Sequence, residues 1–564
     1  MPSGQDAWWK EAVFYQIYPR SFMDSDDDGQ GDLRGIISRL DYLSWLGVDA
    51  IWISPFFSSP MADLGYDVAD YLSVDPIFGT LEDFNDLVEG IHGRGMRLVL
   101  DLVVNHSSDE HPWFKEARAS RESPKHDWYI WAEGSGKPPN TWKAVFELGS
   151  AWHRNPATGE FYLGTFTSRQ PEFNWRNEEL RDAVFGIMKT WFDRGADGFR
   201  LDVATAYLKD EKLRSNPFSF KAVPDFFQRH IYDRNQAEVG DIFRRMRELA
   251  DGYVSPSPRG SPSGQRVLVG EPYGDAPETC ALCYGPDNAG LHLAFDFDFL
   301  HQRWKAEAFR AAIERLDSAL PAGAQPCLAL SNHDQPRHAH RLGMSSRTGA
   351  AALLLCLRCT PFLYYGEELG LGWSPVARKD LRDPLGKKTW PIPFLGRDPE
   401  RRPMPWNGGP GSGFTRGEPW LPLEPGYEHD NVEAQARDPG SMLSWYRRLL
   451  SLRRSRASLR RGEQRFLEGL PRGVLGFERR LEISGAEMEA ARAAPATEPA
   501  PVPRNEHVLV LINFLARPRR LSLDGVHRVL EGNERRTGER LDGGRFVLGA
   551  EEVLILEPEP GSLA

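Results

Sequence analysis

The sequence predicts an α/β fold: a (β/α)8 TIM barrel with an inserted small domain after strand 3 and a C-terminal antiparallel β domain. Three observations lead to this prediction. Short apolar runs alternate with helical patterns eight times, one interval between runs is too long for a simple connection, and short extended stretches replace this pattern after Arg461. Runs that are apolar on both faces are typical of a parallel sheet covered by helices. Eight such alternations favour a closed barrel.

Eight apolar runs rich in β-branched and aromatic residues define the expected barrel strands. In chain order they span residues 12–17, 50–53, 98–103, 198–201, 267–270, 294–297, 327–330 and 361–365. The helical patterns between them are expected to cover the outside of the barrel. We therefore assign residues 1–104 and 175–465 to the barrel.

Three further regions interrupt or follow the barrel pattern. Residues 105–174 are dense in Trp, Gly and Pro and are predicted to form an inserted domain B over the mouth of the barrel. A long segment of this kind in a compact protein is usually functional. Residues 466–564 are predicted to form a C-terminal β-sandwich domain. Within it, residues 487–503 are rich in Ala, Glu and Pro and are expected to be a flexible loop.

Composition excludes several classes of protein. The chain has 564 residues, 69 Lys and Arg against 80 Asp and Glu, and a formal net charge of −11. This balance argues against nucleic acid or an anionic membrane as a partner, because phosphate binding needs clustered positive charge. No apolar run reaches the roughly 18 residues of a membrane helix. Five cysteines do not make a disulfide framework. With no signal peptide visible in the first ten residues, these features predict a cytoplasmic protein.

Polar side chains follow four of the predicted strands. They are Asn105, His106, Arg200, Asp202, Glu271, His333 and Asp334. The residues after the strands of a barrel converge on its C-terminal face, where barrel enzymes carry out their chemistry. Three acids, an arginine and two histidines on one face are hard to explain structurally, because like charges packed together cost stability. The sequence therefore predicts an enzyme active site there.

Five separated motifs make the chain recognisable. They are DLVVNH at 101–106, QPEFNW at 170–175, GFRLD at 198–202, VGEP at 269–272 and SNHD at 331–334. Through them the sequence resembles the α-amylase superfamily, glycoside hydrolase family 13, and within it the α-glucosidase and oligo-1,6-glucosidase branch. The resemblance extends from about Trp8 to Trp445. It implies cleavage of an α-linked glucose from a small oligosaccharide or disaccharide.

The resemblance assigns three catalytic roles. Asp202 would be the nucleophile, Glu271 the general acid/base and Asp334 the transition-state stabiliser. Cleavage with retention needs one ionised carboxylate and one protonated carboxyl about 5 Å apart. We expect Arg200 to keep Asp202 ionised and the neighbouring anions to raise the pKa of Glu271.

The resemblance also implies a substrate pocket. His106 and His333 would bind hydroxyls of the non-reducing glucose, and Tyr66 would stack on a sugar face while Asp63 accepts hydrogen bonds. Together with Arg401, these residues would form a dead-end pocket for one glucose, which predicts an exo-acting enzyme. The sequence around Arg401 departs from the family pattern at Pro399, Glu400 and Arg402.

A separate acidic loop precedes the first predicted helix. Its candidate metal ligands are Asp24, Asp26, Asp28, Gln30 and Asp32. Acidic side chains at alternate positions, with Gly29 for a tight turn, suit Ca²⁺ or Mg²⁺. The alternative is a solvated acidic loop without metal. We expect a structural ion only, because two carboxylates suffice for the chemistry and no cofactor is needed.

Two other functions remain open at this stage. A transglucosidase or sugar isomerase, of the trehalose synthase or sucrose isomerase type, would use the same scaffold with a sugar in place of water as the acceptor. In parts of the resembled family, an apolar residue at the position of Val203 accompanies α-1,6 preference, and Glu172 and Phe173 also depart from the commonest motif. A non-catalytic binding or transporter-associated relative is disfavoured, because Asp202, Glu271 and Asp334 are all present.

Overall fold

An eight-stranded parallel barrel forms the centre of the protein in the computed structural model. The structure describes residues 7–133, 136–220, 226–254, 264–392, 395–483 and 505–559. The barrel strands β1 to β8 are Phe14–Ile17, Ala50–Ile53, Arg97–Leu102, Gly198–Leu201, Val267–Gly270, Leu293–Ala294, Cys327–Ala329 and Thr360–Tyr364. Their order and their burial on both faces confirm the predicted (β/α)8 fold.

The barrel closes through parallel pairing. Hydrogen bonds join the strands in the order β6-β5-β4-β3-β2-β1-β8-β7. A parallel bridge between Phe295 and Cys327 joins the ends of that row. The register places Asp101 of β3 opposite Arg200 of β4. Side chains at paired positions point to the same face of a sheet, so this register brings an acid and a base together inside the barrel.

The main helices alternate with the barrel strands. In chain order they are Leu33–Ser38, Leu40–Leu46, Leu81–His92, Glu178–Asp193, Val239–Gly252, Pro277–Tyr284, Ala306–Ala319, Arg347–Cys356 and Met442–Ser455. The helix Leu81–His92 shows why these segments are helical. The side chains of Thr80 and Asp83 form a capping box at its start. Its buried residues recur every three or four positions: Phe84, Leu87, Val88 and Ile91.

Shorter elements fill the connections. Short helices lie at Trp8–Glu11, Pro19–Phe22, Pro112–Ala117, Phe297–Leu300, His338–Arg341, Pro384–Thr389, Val432–Arg437 and Ala457–Arg461. Strands Phe57–Ser58 and Asp70–Val74 pair after β2. Among the described residues, no helix is both long enough and apolar enough to cross a membrane.

A small antiparallel sheet lies in the segment after β3. Its strands are Trp131–Ala132, Trp152–Arg154 and Phe161–Leu163, inside the predicted insertion 105–174. Trp142 and Trp152 are buried in its own small core. A bridge between His106 and Glu172 ties the start of this segment to its end. The segment therefore leaves the barrel after β3 and returns to the same place.

The C-terminal part is built from two antiparallel sheets. One has six strands, Glu463–Phe466, Val474–Leu481, Glu506–Asn513, Val553–Pro558, His527–Gly532 and Arg540–Leu541, and the other pairs Arg519–Leu523 with Gly544–Leu548. The first strand begins three residues before the predicted boundary at 466. Buried leucines from both sheets share one core, as in a sandwich. The predicted flexible loop at 487–503 lies outside the described residues.

Candidate active site

A cavity of about 700 Å³ opens at the C-terminal ends of the barrel strands. Six of the nine residues predicted for catalysis or substrate binding line it: Asp63, Tyr66, His106, Asp202, Glu271 and Asp334. The other three, Arg200, His333 and Arg401, are buried behind its wall. The structure therefore brings all nine into one site, in two layers.

The Arg200 guanidinium holds three carboxylates. Its Nη1 lies 2.8 Å from Asp101 Oδ1 and 2.8 Å from Asp202 Oδ1, and its Nη2 lies 2.6 Å from Glu271 Oε2. Asp202 and Glu271 thus contact neighbouring nitrogens of one planar group. Such a fork fixes both position and orientation of the carboxylates it binds.

Burial dominates the protonation of this cluster. It raises the pKa of Asp202 to about 7 and that of Glu271 to about 7, with Arg200 opposing each shift. Asp334 and the other acids of the cluster add to both shifts. This corrects the expectation that Arg200 keeps Asp202 ionised, because burial outweighs Arg200, which is shared among three acids. Near neutral pH, Asp202 and Glu271 therefore share a proton.

The residue after Asp202 has an unusual backbone. Val203 has φ 36° and ψ 44°, in the left-handed region that β-branched residues rarely occupy. Its N–H donates to Glu271 Oε2 at 3.0 Å. Strain of this kind persists where the surroundings impose it, and it clusters at functional sites. Here the turn aims a backbone donor at the acid on the next strand.

Asp334 has a different electrostatic environment. Its Oδ1 lies 2.6 Å from Arg401 Nη2 and 3.1 Å from Arg397 Nη1. Burial alone would raise the pKa of Asp334, but His333, Arg397 and Arg401 together hold it well below its usual range. This carboxylate is therefore ionised throughout the neutral range.

Arg397 closes the pocket and was not among the predicted site residues. Its Nη2 lies 2.7 Å from Asp63 Oδ1 and 2.7 Å from Asp383 Oδ1, while its Nη1 reaches Asp334. Arg397 lines the cavity, whereas Arg401 is fully buried and also donates to the His333 carbonyl. Residues 397–401 read RDPER, so the sequence does place a second arginine, Arg397, four residues before Arg401. That neighbouring arginine was the signal that could have identified it.

His333 lies behind the wall rather than at its surface. It is fully buried, and burial lowers its pKa well below the usual value. Gln16 Nε2 donates to its Nδ1 at 2.8 Å, so the neutral ring carries its proton on Nε2, which lies 2.5 Å from the Tyr66 hydroxyl. That hydroxyl donates to Asp101 at 3.0 Å. The Tyr66 ring stacks on His333 at 5.2 Å between centroids.

The inserted segment supplies two contacts to the site. Gln170 Nε2 lies 3.2 Å from Asp63 Oδ2 and 3.1 Å from His106 Nε2. Burial lowers the pKa of His106 to about 4, so its ring is neutral. Two residues further on, Glu172 is ion-paired at 2.6 Å with Lys209, which follows β4. This buried pair fastens the insertion to the barrel beside the cavity.

The acidic loop has three converging carboxylates. Single oxygens of Asp24, Asp26 and Asp28 lie within 4.8 Å of one another. Asp32 does not join them, because it caps the helix Leu33–Ser38: its oxygens accept from Ser25 and Gly35. The backbone N–H of Gln30 donates a hydrogen bond to Asp28 Oδ1. Three of the five predicted ligands therefore form a donor set that suits a hard cation.

The barrel and its site together define a class of protein. Two carboxylates that share a proton and contact one fixed guanidinium lie at the base of a sugar-sized pocket on a (β/α)8 barrel. These are the parts of a glycosidase. The α-amylase catalytic-domain family model matches residues 16–462. The chain therefore belongs to the α-amylase family and is a glycoside hydrolase.

Individual relatives and solved structures are similar to this chain over most of its length. A probable α-glucosidase of Rhizobium meliloti is 41% identical, covering 84% of this chain and 87% of that protein. An oligo-1,6-glucosidase of Parageobacillus thermoglucosidasius is 38% identical, covering 79% and 84%. An α-glucosyl transfer enzyme has 38% identity and a TM-score of 0.86, covering 98% of this chain and 100% of that one. The trehalulose synthase of Pseudomonas mesoacidophila has 32% identity and a TM-score of 0.83, covering 98% and 99%.

The shared proton predicts the pH dependence of kcat/KM. We expect a bell-shaped profile centred near neutral pH, because the pKa values of Asp202 and Glu271 are both raised to about 7. Below that range both are protonated and no carboxylate can attack; above it both are ionised and no acid can protonate the leaving oxygen.

In Glu271→Gln the alkaline limb should vanish for an aryl α-glucoside, whose departure needs no proton. Glu278→Gln, on an exposed helix position, is the control. A variant profile that keeps the alkaline limb would contradict the assignment.

Arg397 should be required for substrate binding. In Arg397→Met, the carboxylates of Asp63, Asp334 and Asp383 lose the cation they share, and breaking a buried pair costs about 3–5 kcal/mol. We expect kcat/KM to fall by at least about 100-fold, which corresponds to a loss of about 2.7 kcal/mol in transition-state binding, because Asp63 and Asp334 lose the group that orients them toward the sugar. Circular dichroism would show whether the variant folds, and the exposed Arg378→Met is the matched control. A folded Arg397→Met with unchanged kcat/KM would show that the bridge is not used.

Proposed function

We propose that this protein is a retaining, exo-acting α-glucosidase that removes terminal glucose from short oligosaccharides and disaccharides. The observation that carries the proposal is the Arg397 bridge between Asp63 and Asp334. The bridge closes the cavity beyond the catalytic carboxylates, so a chain can enter only by its end. Relatives named α-glucosidase and oligo-1,6-glucosidase support the same substrate class.

The retaining mechanism is supported by the geometry around Arg200. One guanidinium contacts both Asp202 and Glu271, which requires the two carboxyl groups to be close. Retaining enzymes hold their carboxyls about 5 Å apart, whereas inverting enzymes need a wider gap for a water molecule. In the proposed reaction, Asp202 attacks the anomeric carbon while Glu271 protonates the departing oxygen. Glu271 then takes a proton from a water molecule, whose oxygen attacks the anomeric carbon; the bond to Asp202 breaks, and glucose leaves.

Asp334 would act mainly in the transition state. Its carboxylate stays ionised beside Arg397 and Arg401, and it faces the cavity at the closed end. A fixed anion there can bind sugar hydroxyls and attract the positive charge that develops on the ring. No proton transfer is assigned to it.

Glucosyl transfer to a sugar is the second candidate function. Its support is the likeness to an α-glucosyl transfer enzyme and to a trehalulose synthase. An apolar wall of Phe146, Phe166 and Val203 also lines the cavity. Such a wall can exclude water and favour a sugar acceptor. Val203 also favours cleavage or formation of α-1,6 links, because an apolar residue at this position accompanies that preference in parts of the family.

We also propose a structural Ca²⁺ or Mg²⁺ in the acidic loop, held by Asp24, Asp26 and Asp28. The three carboxylates repel one another without a cation, and Asp24 and Asp28 help to raise the pKa of Asp26 after the main contribution from burial. The ion would supply positive charge only, away from the reacting atoms. The cytoplasmic location stays a prediction.

A proton NMR time course tests the proposed activity. With maltose, isomaltose, sucrose and trehalose offered separately, we expect free α-glucose to appear before β-glucose. Asp202→Asn should abolish release, and Glu271→Gln should slow it by about 10²–10⁴-fold for these unactivated sugars. Asp182→Asn, on an exposed helix position, is the control. Early β-glucose would overturn retention, and a new disaccharide with little free glucose would favour the transferase.

Removal of divalent cations tests the metal site. We expect EDTA to lower Tm and added Ca²⁺ to restore it, because a ligand that binds only the folded state stabilises it. Asp26→Asn should lose this response, whereas Asp41→Asn, an exposed acid elsewhere, should keep it. The kcat of folded protein should not change. Equal responses from both variants would contradict the site.

A further inference from the structure

A second cavity of about 460 Å³ lies beside the closed end of the glucose pocket. Arg20, Arg382, Trp420 and Leu64 line it, together with the acids Asp28 and Glu418. Leu64 follows Asp63 directly, yet no residue lines both cavities. The second cavity is therefore separate from the catalytic one, and the chemistry derived above does not use it.

Arg20 is a buried cation that makes no close ion pair with a carboxylate among the described residues. It is 8% exposed, and its guanidinium lies over the rings of Phe78 at 5.7 Å and Trp420 at 5.3 Å. Its Nε and Nη2 have no hydrogen-bond partner, and no ion pair to Arg20 is found within the described ranges. Native proteins rarely leave such a group unpaired, and an unpaired buried charge costs stability. The two aromatic rings thus hold a guanidinium whose hydrogen-bonding capacity is unused.

The charges around the cavity favour an anion at its inner end. Arg382 is a second cation on the wall, oriented by a 3.1 Å hydrogen bond from its Nε to the Trp420 carbonyl. Glu418 is exposed, so water screens its charge, and Asp28 is an exposed ligand of the ion proposed above, whereas Arg20 is buried. Burial lowers the pKa of Arg20, and the charges of Tyr18, Asp75 and Asp28 oppose that shift only in part. A guanidinium presents its N–H groups in a planar fork that matches the oxygens of a phosphate group.

We propose that this second cavity binds a phosphate group through Arg20, with Arg382 contributing at the entrance. The ligand is either inorganic phosphate or the phosphate of a phosphorylated sugar, and a cavity of about 460 Å³ has room for both. Trp420 stacks on Tyr18, and Tyr18 stacks on His333. The phosphate would therefore lie two aromatic rings away from the glucose pocket.

Calorimetric titration and thermal unfolding test the proposal on the full chain in buffer without free Ca²⁺, because Ca²⁺ itself combines with phosphate. The probes are inorganic phosphate and glucose 6-phosphate. Wild type should bind phosphate and show a higher Tm with it. Arg20→Met keeps the aliphatic stem between the rings and removes the N–H groups, so it should weaken binding by at least tenfold. Arg416→Met is the control, because Arg416 is exposed on the neighbouring loop and pairs with Asp27.

The stability of the variant without ligand is a second, independent readout. Because Arg20 has no hydrogen-bond partner to lose, Arg20→Met should unfold at the same Tm as wild type or higher in phosphate-free buffer. Tighter binding of glucose 6-phosphate than of phosphate would identify a sugar phosphate as the ligand, and equal binding would identify inorganic phosphate. Absence of binding to wild type would overturn the proposal. So would equal binding to wild type and Arg20→Met.

Discussion

One guanidinium with three buried carboxylates is the constraint on which the rest of the site depends. Arg200 lies opposite Asp101 in the barrel register and two residues before Asp202 on the same strand. A strand repeats its direction every two residues, so Arg200 and Asp202 face the same side. One positive charge cannot balance three negative ones in a buried site. The site therefore holds a proton near neutral pH, and the reaction needs that proton on Glu271.

The glucose pocket contains a second charge centre, in which two arginines contact one carboxylate. Arg397 and Arg401 both contact Asp334, and Arg397 extends to Asp63. Two guanidinium groups contact Asp334 directly and keep it ionised, whereas Asp202 and Glu271 share one guanidinium with Asp101. Two carboxylates of similar chemistry thus acquire different roles from their neighbours. Arg397 also lies at the end of the pocket, so one residue contributes both to the charge of Asp334 and to the exo-acting geometry proposed above.

The sequence predicted the parts of this arrangement that follow from local pattern. Eight apolar runs marked the barrel, and strand-end motifs marked Asp202, Glu271 and Asp334. It could not show how one arginine is divided among three acids, because Asp101 and Glu271 reach Arg200 from other strands. Nor could spacing show that Asp32 caps a helix, since an alternating acidic pattern fits a cap as well as a metal ligand. Arg397 was missed because a bridge between distant segments leaves no periodic signal.

The choice between water and a sugar as acceptor depends on the wall beside Val203. Its left-handed backbone aims an N–H at Glu271 and leaves the isopropyl group in contact with the apolar wall at Phe166. The donor holds the carboxyl that must activate the acceptor, while the side chain shapes the space that the acceptor enters. A change at this position would therefore alter linkage preference and transfer together. We therefore expect the shape of this wall and the access of water to decide between hydrolysis and transfer. The carboxylates and Arg200 would serve both reactions in the same way.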